Sequence, residues 1–265
     1  GLERMATRIK VHGREIGLGA HPVGLDVDRV QQVLDSEVCQ EQITMLRKEL
    51  EGIRVVLSVE RLDYTKGTYA KLLAFEALLE AHPELIGKVS LITICVPAAR
   101  EMTIYAELLG QIEQAVGRIN GRFSRVGWTP VQFFYRAVPF DQLVAYYLMA
   151  DVMWITPLRD GLNLVAKEYV ATQGLCGGAG VLVLSEFAGA AAELHGALLT
   201  NPHDPHDLRD GLYIGLTLGR AEREARLREL FAVVQHNDIR RWGDEFLQAV
   251  RGVHREVLEH SDEVA

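Results

Sequence analysis

Cysteine is scarce in this sequence: three in 265 residues, Cys39, Cys95 and Cys176, far apart and odd in number. None stands in a CxxC or other zinc-ligand spacing. Neither a disulfide framework nor a metal site is expected, and the thiols fit a reduced, cytoplasmic protein. No apolar run is long enough to span a bilayer, and the N-terminus lacks a signal-peptide pattern, so no membrane role is expected. Positive charge is also short. Lys and Arg number 28 against 36 Asp and Glu, a net charge of −8, which excludes a general nucleic-acid binder that works by counterion release. A phosphate site would have to be a local cluster of cations. There is no initiator Met before Gly1-Leu2-Glu3, which raises the expectation of a fragment. Internal repeats and low-complexity linkers are absent too.

What is present is an alternation. Short apolar, largely β-branched runs at 53–59 (IRVVLSV), 89–95 (VSLITIC), 131–135 (VQFFY), 152–156 (VMWIT) and 181–185 (VLVLS) match strands buried on both faces. Between them, 69–81, 100–116, 142–149 and 164–173 carry apolar residues at helical spacing. The fold class that follows is α/β, a Rossmann-like, doubly wound parallel sheet, with ligands expected at the carboxyl ends of its strands. Ahead of it, 7–11 and 15–19 suit a hairpin around His12-Gly13, and one helix is expected from about 28 to 51. After Asp204-Pro205, an N-cap followed by a first-turn proline, the chain reads as mostly helical, ending in helices at 222–234 and 239–257.

Two strand-end loops carry chemistry. After 53–59 comes Glu60-Arg61-Leu62-Asp63-Tyr64-Thr65-Lys66-Gly67. A guanidinium fork and a mobile ammonium in one such loop suit a diphosphate. A surface arginine paired with Asp63 fits the same spacing equally well. After 152–156 comes Pro157-Leu158-Arg159-Asp160-Gly161-Leu162-Asn163-Leu164, leading into a helix that bears Glu168. Free N–H groups of Leu162, Asn163 and Leu164 would make an anion site, and Glu168 is placed to accept from a ribose diol. A glutamate near a positive helix end needs no ligand to explain it. The two loops on one sheet favour a nucleotide-diphosphate ligand.

Other signals are weaker. Gly174, Gly177, Gly178 and Gly180 precede a strand rather than follow one, so they form a connection, not a phosphate loop. No GxGxxG follows any strand, which makes a dehydrogenase remote. His203, Asp204, His206 and Asp207 are taken as turn and cap residues between Pro202 and Pro205. Arg100 is a candidate second phosphate contact, or a solvated helix-start arginine. Trp128 is assigned to core packing, and His195 to a helix end rather than to catalysis.

Arg61-Leu62-Asp63-Tyr64 with Lys66-Gly67, Gly117-Arg118-Ile119-Asn120-Gly121, Trp128-Thr129-Pro130, TPLRDGLNLVAKEYVA from Thr156 and VLVLSEFAGAA from Val181 together resemble the trehalose-6-phosphate synthase family, retaining glycosyltransferases of family 20. The likeness runs from Ile53 to about Phe246. It implies a GT-B fold of two facing Rossmann-like domains, this chain being the C-terminal, donor-binding half. It implies that Arg61 and Lys66 grip the donor diphosphate and act in catalysis. Asp160 and the backbone of Gly161, Leu162, Asn163 and Leu164 would hold the glucosyl and phosphate groups, and Glu168 the ribose. No metal and no tightly bound cofactor are implied, the nucleotide sugar being a substrate.

Within the family, Glu60, Cys95-Val96-Pro97-Ala98-Ala99, Ser124-Arg125 and Glu193-Leu194-His195-Gly196-Ala197 resemble the glucosylglycerol-phosphate synthase branch, which uses ADP-glucose and glycerol 3-phosphate. Arg100, alignable with a sugar-phosphate arginine, keeps the trehalose branch open, with UDP- or ADP-glucose and glucose 6-phosphate. A non-catalytic nucleotide-binding module is the other alternative. The family's N-terminal His-Asp-Tyr-type motif has no counterpart here. Residues 1–25 are therefore expected to be the tail of a missing N-terminal domain and hinge, 26–245 the nucleotide-sugar-binding domain, and 246–265 a C-terminal helix and tail. The expected partners are small-molecule substrates, the missing domain, and a second copy through exposed apolar surface.

Overall fold

The computed structural model describes residues 8–98 and 103–262, so the expectation for Arg100 lies outside the described residues. The chain divides into two compact units, Gly1–Asp26 with His236–Ala265, and Val27–Gln235. Residues 236–245 thus group with the first stretch and not with the sheet.

The first unit opens with β1 (Arg8–Val11) and β2 (Arg14–Gly17), antiparallel, with Val11 opposite Arg14. The two-residue turn is His12-Gly13, both at positive φ (49° and 81°). That is the mirror-image turn whose twist matches a hairpin, and glycine adopts it at little cost.

The second unit is the sheet. Helices α1 (Val27–Leu34) and α2 (Glu37–Glu49) replace the single helix expected at 28–51. Ser36 causes the break. Its hydroxyl donates to Val33 O at 2.7 Å and accepts from Cys39 N at 3.3 Å, ending one helix and capping the next. Then follow β3 (Arg54–Arg61), α3 (Thr68–Ala81), β4 (Val89–Val96), α4 (Thr103–Phe123), β5 (Val131–Tyr135), α5 (Phe140–Met149), β6 (Val152–Ile155), α6 (Leu164–Leu175), β7 (Val181–Ser185), β8 (Leu198–Thr200), α7 (Pro205–Thr217) and α8 (Arg220–His236). Every neighbouring pair in the sheet is parallel, in the order β5-β4-β3-β6-β7-β8. The chain builds outward from β3 in one direction, then returns to start β6 on its other side. The β3/β6 boundary is therefore the switch point where doubly wound sheets open a crevice.

Four of the apolar runs become strands because both faces are covered, whereas β5, expected to be buried on both faces, is an edge strand buried only at Val131 and exposed at Tyr135. β4, β6 and β7 are almost wholly buried, Trp154 and Val152 completely. Leu72, Phe75 and Leu78 of α3, Ile112 and Ile119 of α4, and Leu208, Leu212 and Leu216 of α7 share one core with the sheet. α1, α2, α5 and α6 pack with one another as a second layer. At the start of β5, Asn120 on α4 exchanges hydrogen bonds with both backbone groups of Val131, at 2.9 and 3.0 Å. Arg118 and Arg122 reach Glu76 of α3. The 117–121 block thus ties α4 to the start of β5, at the end of the sheet opposite the strand-end loops. The last helix, α9 (Ile239–Asp262), belongs to the first unit. There Trp242 donates to His21 O at 3.1 Å, and Asp238 passes so close to Gly24 that a β-carbon would lie 2.1 Å from its carbonyl.

Candidate functional site

The crevice between β3 and β6 collects both strand-end loops. β3 ends in the exposed Arg61, paired through its backbone with Val96, while its side chain has no hydrogen bond or ion pair to any described residue. Asp63 is not its partner. That carboxylate accepts from Thr65 N (2.8 Å) and Thr65 Oγ1 (2.7 Å), winding Tyr64–Lys66 into a single 3-10 turn. Gly67 then takes φ 69°, with Thr156 O only 3.2 Å from where a β-carbon would sit, and α3 begins. The Thr65 carbonyl accepts from Leu158 N at 2.7 Å, so the loop after β3 is fastened to the loop after β6.

The side chains meet as well. Lys66 Nζ lies 2.7 Å from Asp160 Oδ2, each side chain about one-sixth exposed (16% and 16%). Asn163 Nδ2 donates to the same oxygen at 3.1 Å. Burial pushes the Asp160 carboxyl up, but the Lys66 ammonium and the Asn163 and Leu162 donors outweigh it and hold it below its ordinary value. Asn163 is the N-cap of α6, in the left-handed region (φ 84°), and its Oδ1 accepts from Ala166 N at 3.0 Å. The N–H groups of Gly161, Asn163 and Leu164 find no acceptor among the described residues. Leu162 N is partly taken by Asp160 Oδ1 at 3.4 Å, so the open donor set includes Gly161 in place of a wholly free Leu162.

The chain at 186–193 buttresses this turn. Gly189 N donates to Asp160 O (2.9 Å) and Ala190 N to Leu162 O (2.7 Å). A β-carbon on Gly189 would stand 2.1 Å from Gly161 O, so only glycine allows the approach. Lys167, almost fully buried, pairs with Glu193 at 2.6 Å. Beyond Asp160, half-buried Glu168 accepts from Tyr147 Oη at 2.8 Å through Oε2. Burial raises its carboxyl above the ordinary value against the lowering effect of that hydrogen bond.

Arg61, Lys66, Asp160, Gly161, Leu162, Asn163 and Leu164 therefore lie at the carboxyl ends of β3 and β6 on two loops that are joined, and Glu168 lies one turn into the helix that follows. The glycines at 174–180 pack instead of binding: β-carbons on Gly174, Gly178 and Gly180 would strike Phe231, Gln173 and Tyr169. Asp204 caps α7, Asp207 accepts from Asn201 N, and no group of potential metal ligands occurs among the described residues. His195 is exposed and Trp128 buried.

Sequence reasoning missed three supports. Tyr147 lies inside an apolar helix, and Glu193 stands out in the sequence only as part of a branch resemblance. The third is Glu60, which pairs with Lys71 one turn into α3. Lys71 also donates to Ser58 Oγ at 2.6 Å, and Thr68 Oγ1 to Glu60 Oε1 at 2.5 Å. The alternation of β3 points Glu60 away from Arg61, and that is the available signal.

The family model of glycosyltransferase family 20 matches residues 2–252. The chain is 67% identical over 250 residues to a glucosylglycerol-phosphate synthase from Pseudomonas anguilliseptica, covering 94% of this chain and 33% of that protein. It is 39% identical to a UDP-forming trehalose-phosphate synthase from Schizosaccharomyces pombe, covering 93% of this chain and 48% of that one. The solved trehalose 6-phosphate synthase of Burkholderia multivorans superposes with a TM-score of 0.90 at 42% identity, over 96% of this chain and 54% of that one. The chain thus spans between a third and about half the length of these relatives.

Proposed function

From the premise that the chain belongs to glycosyltransferase family 20, we propose that it is the donor-binding half of a retaining glucosyltransferase that moves glucose from ADP-glucose to glycerol 3-phosphate. The observation that carries the reading is the convergence of two cations and a carboxylate-bearing helix start at the sheet's switch point, joined by Lys66–Asp160 at 2.7 Å. Arg61 and Lys66 hold the diphosphate, which spreads charge a bidentate guanidinium and a mobile ammonium match. Asp160 and the N–H groups from Gly161 to Leu164 hold the glucosyl hydroxyls and phosphates, and Glu168 the ribose.

In the transfer, the bond from glucose C1 to the diphosphate breaks and a bond to an acceptor hydroxyl forms. The acceptor's proton passes to the departing phosphate oxygen, whose charge Arg61 and Lys66 stabilise. No metal, resident cofactor or carboxylate nucleophile enters. The choice of branch rests on 67% identity to a glucosylglycerol-phosphate synthase against 39% to a trehalose-phosphate synthase. A cytoplasmic setting and an N-terminal partner half belong to the same proposal.

Calorimetry with ADP tests the site. Arg61→Ala and Lys66→Ala should each weaken binding by about 1–3 kcal/mol, the scale of a hydrogen bond to a charged group. Unchanged affinity in both variants removes the assignment.

A further inference from the structure

Glu168 is held from behind by a residue outside both strand-end loops. Tyr147 on α5 is wholly buried, and its hydroxyl donates to Glu168 Oε2 at 2.8 Å, while Oε1 has no partner among the described residues. The backbone of Tyr147 is pinned too, since Gln173 Nε2 donates to its carbonyl at 2.9 Å. A buried tyrosine hydroxyl needs a partner, and any nearby carbonyl would serve stability as well. Here it is aimed at the one carboxylate of α6, one turn after the loop that bears Asp160.

We propose that Tyr147 is a positioning residue for the nucleotide ribose, fixing Glu168 by one oxygen so that the other is left to accept from the diol. The proposal rests on the nucleotide reading of the site. On α5 and α1, the helices that pack most against α6, the ionisable residues are Asp141, Tyr146 and Tyr147, and Asp28 and Arg29, while α8 meets α6 at its far end, where Phe231 faces Gly174 with Glu224 and Arg228 beside it. β6, β7 and the Gly189–Ala192 turn bring none. Neighbouring Lys167 is paired with Glu193. Among the described side chains Tyr147 is the one that hydrogen-bonds the Glu168 carboxyl, and its donation opposes the burial that favours the neutral acid. A neutral acid gives up acceptor strength toward a hydroxyl, so the tyrosine also keeps Glu168 ionised at lower pH.

Tyr147→Phe keeps the ring and removes only the hydroxyl. In calorimetry on this chain, ADP affinity at pH 7.5 should fall about three- to tenfold, the scale of one hydrogen bond, with pyrophosphate affinity unchanged. The loss of ADP affinity on acidification should move to higher pH than in the parent. In a Glu168→Gln background the same change should have no further effect. Equal losses for ADP and pyrophosphate, or an unmoved acid limb, overturn the proposal and make Tyr147 a packing residue. If Glu168→Gln weakens ADP but Tyr147→Phe does not, the ribose reading stands and Tyr147 has no part in it. If Glu168→Gln leaves ADP affinity intact, the ribose reading itself falls, and the proposal with it.

Discussion

Two carboxylates a few residues apart are pushed in opposite directions, and their pH signatures separate them. The Asp160 carboxyl sits below its ordinary value of 3.8 despite burial, because Lys66 and Asn163 favour its ionised form. Its contribution to stability is fully present above that ordinary value and is lost as pH falls through the lowered one. Glu168 is the reverse: burial raises it above 4.5, so its ionised form costs stability that is regained as pH falls. Mild acid should therefore weaken ADP binding through Glu168 while Lys66–Asp160 stays intact. Asp160→Asn separates sugar from phosphate. It should weaken ADP-glucose more than ADP, since the carboxylate is assigned to the glucosyl hydroxyls and its loss frees Lys66 for phosphate. Calorimetry giving equal changes for both ligands would take Asp160 off the sugar. The placing of Arg61, Lys66, Asp160 and Glu168 at strand ends and an early helical turn was legible because each follows a recognisable strand within a few residues of a helix start. Tyr147 was not, because a tyrosine among Val144, Ala145 and Met149 reads as ordinary helix core.

At the scale of elements, the five strands at 54–61, 89–96, 131–135, 152–155 and 181–185 were legible from continuous apolar runs, and their parallel direction from the alternation with helices, whereas their order in the sheet was not. β8, three residues long with Leu199 exposed, carries no such run. The α1/α2 break was hidden because Ser36 caps only when its hydroxyl meets Cys39 N. Strand and helix meet at the site through the Glu60–Lys71 pair, exposed by only 6% and 2%. Lys71→Met would leave Glu60 buried without its cation, a loss of about 3–5 kcal/mol by the behaviour of other broken buried pairs. Adding Glu60→Gln should recover part of it, because the uncompensated charge is then gone. Urea denaturation of the two single variants and the double checks this. A double variant no more stable than Lys71→Met would mean that the pair acts only through packing.

At the scale of the molecule, the question is what one doubly wound sheet can do. Transfer requires donor and acceptor in a near-attack geometry, with water kept from the reacting carbon. In the proposed function, the loops at the β3/β6 boundary offer a donor two cations, open N–H groups and the carboxylates of Asp160 and Glu168. None of the groups gathered there is assigned to the phosphate of an acceptor. On the proposed function, that wall belongs to the length by which the relatives exceed this chain, about half of the Burkholderia multivorans enzyme. The expected outcome is that these 265 residues bind ADP weakly and transfer no glucose alone. Adding an N-terminal family 20 half, in cis or in trans, should start turnover of ADP-glucose with glycerol 3-phosphate, followed by release of ADP and appearance of glucosylglycerol phosphate. Turnover only with glucose 6-phosphate would move the protein to the trehalose branch while leaving the donor site as described. Robust turnover by the chain alone would show that one Rossmann-like sheet builds its own acceptor wall, and the two-half reading would fall. Exposed Ile9, Val11, Ile16 and Leu18 on and beside the hairpin should make the isolated chain self-associate, since apolar surface left in water favours a second copy. Sedimentation that gives a monomer at every concentration, with the same hydrophobic residues present, would count against that expectation.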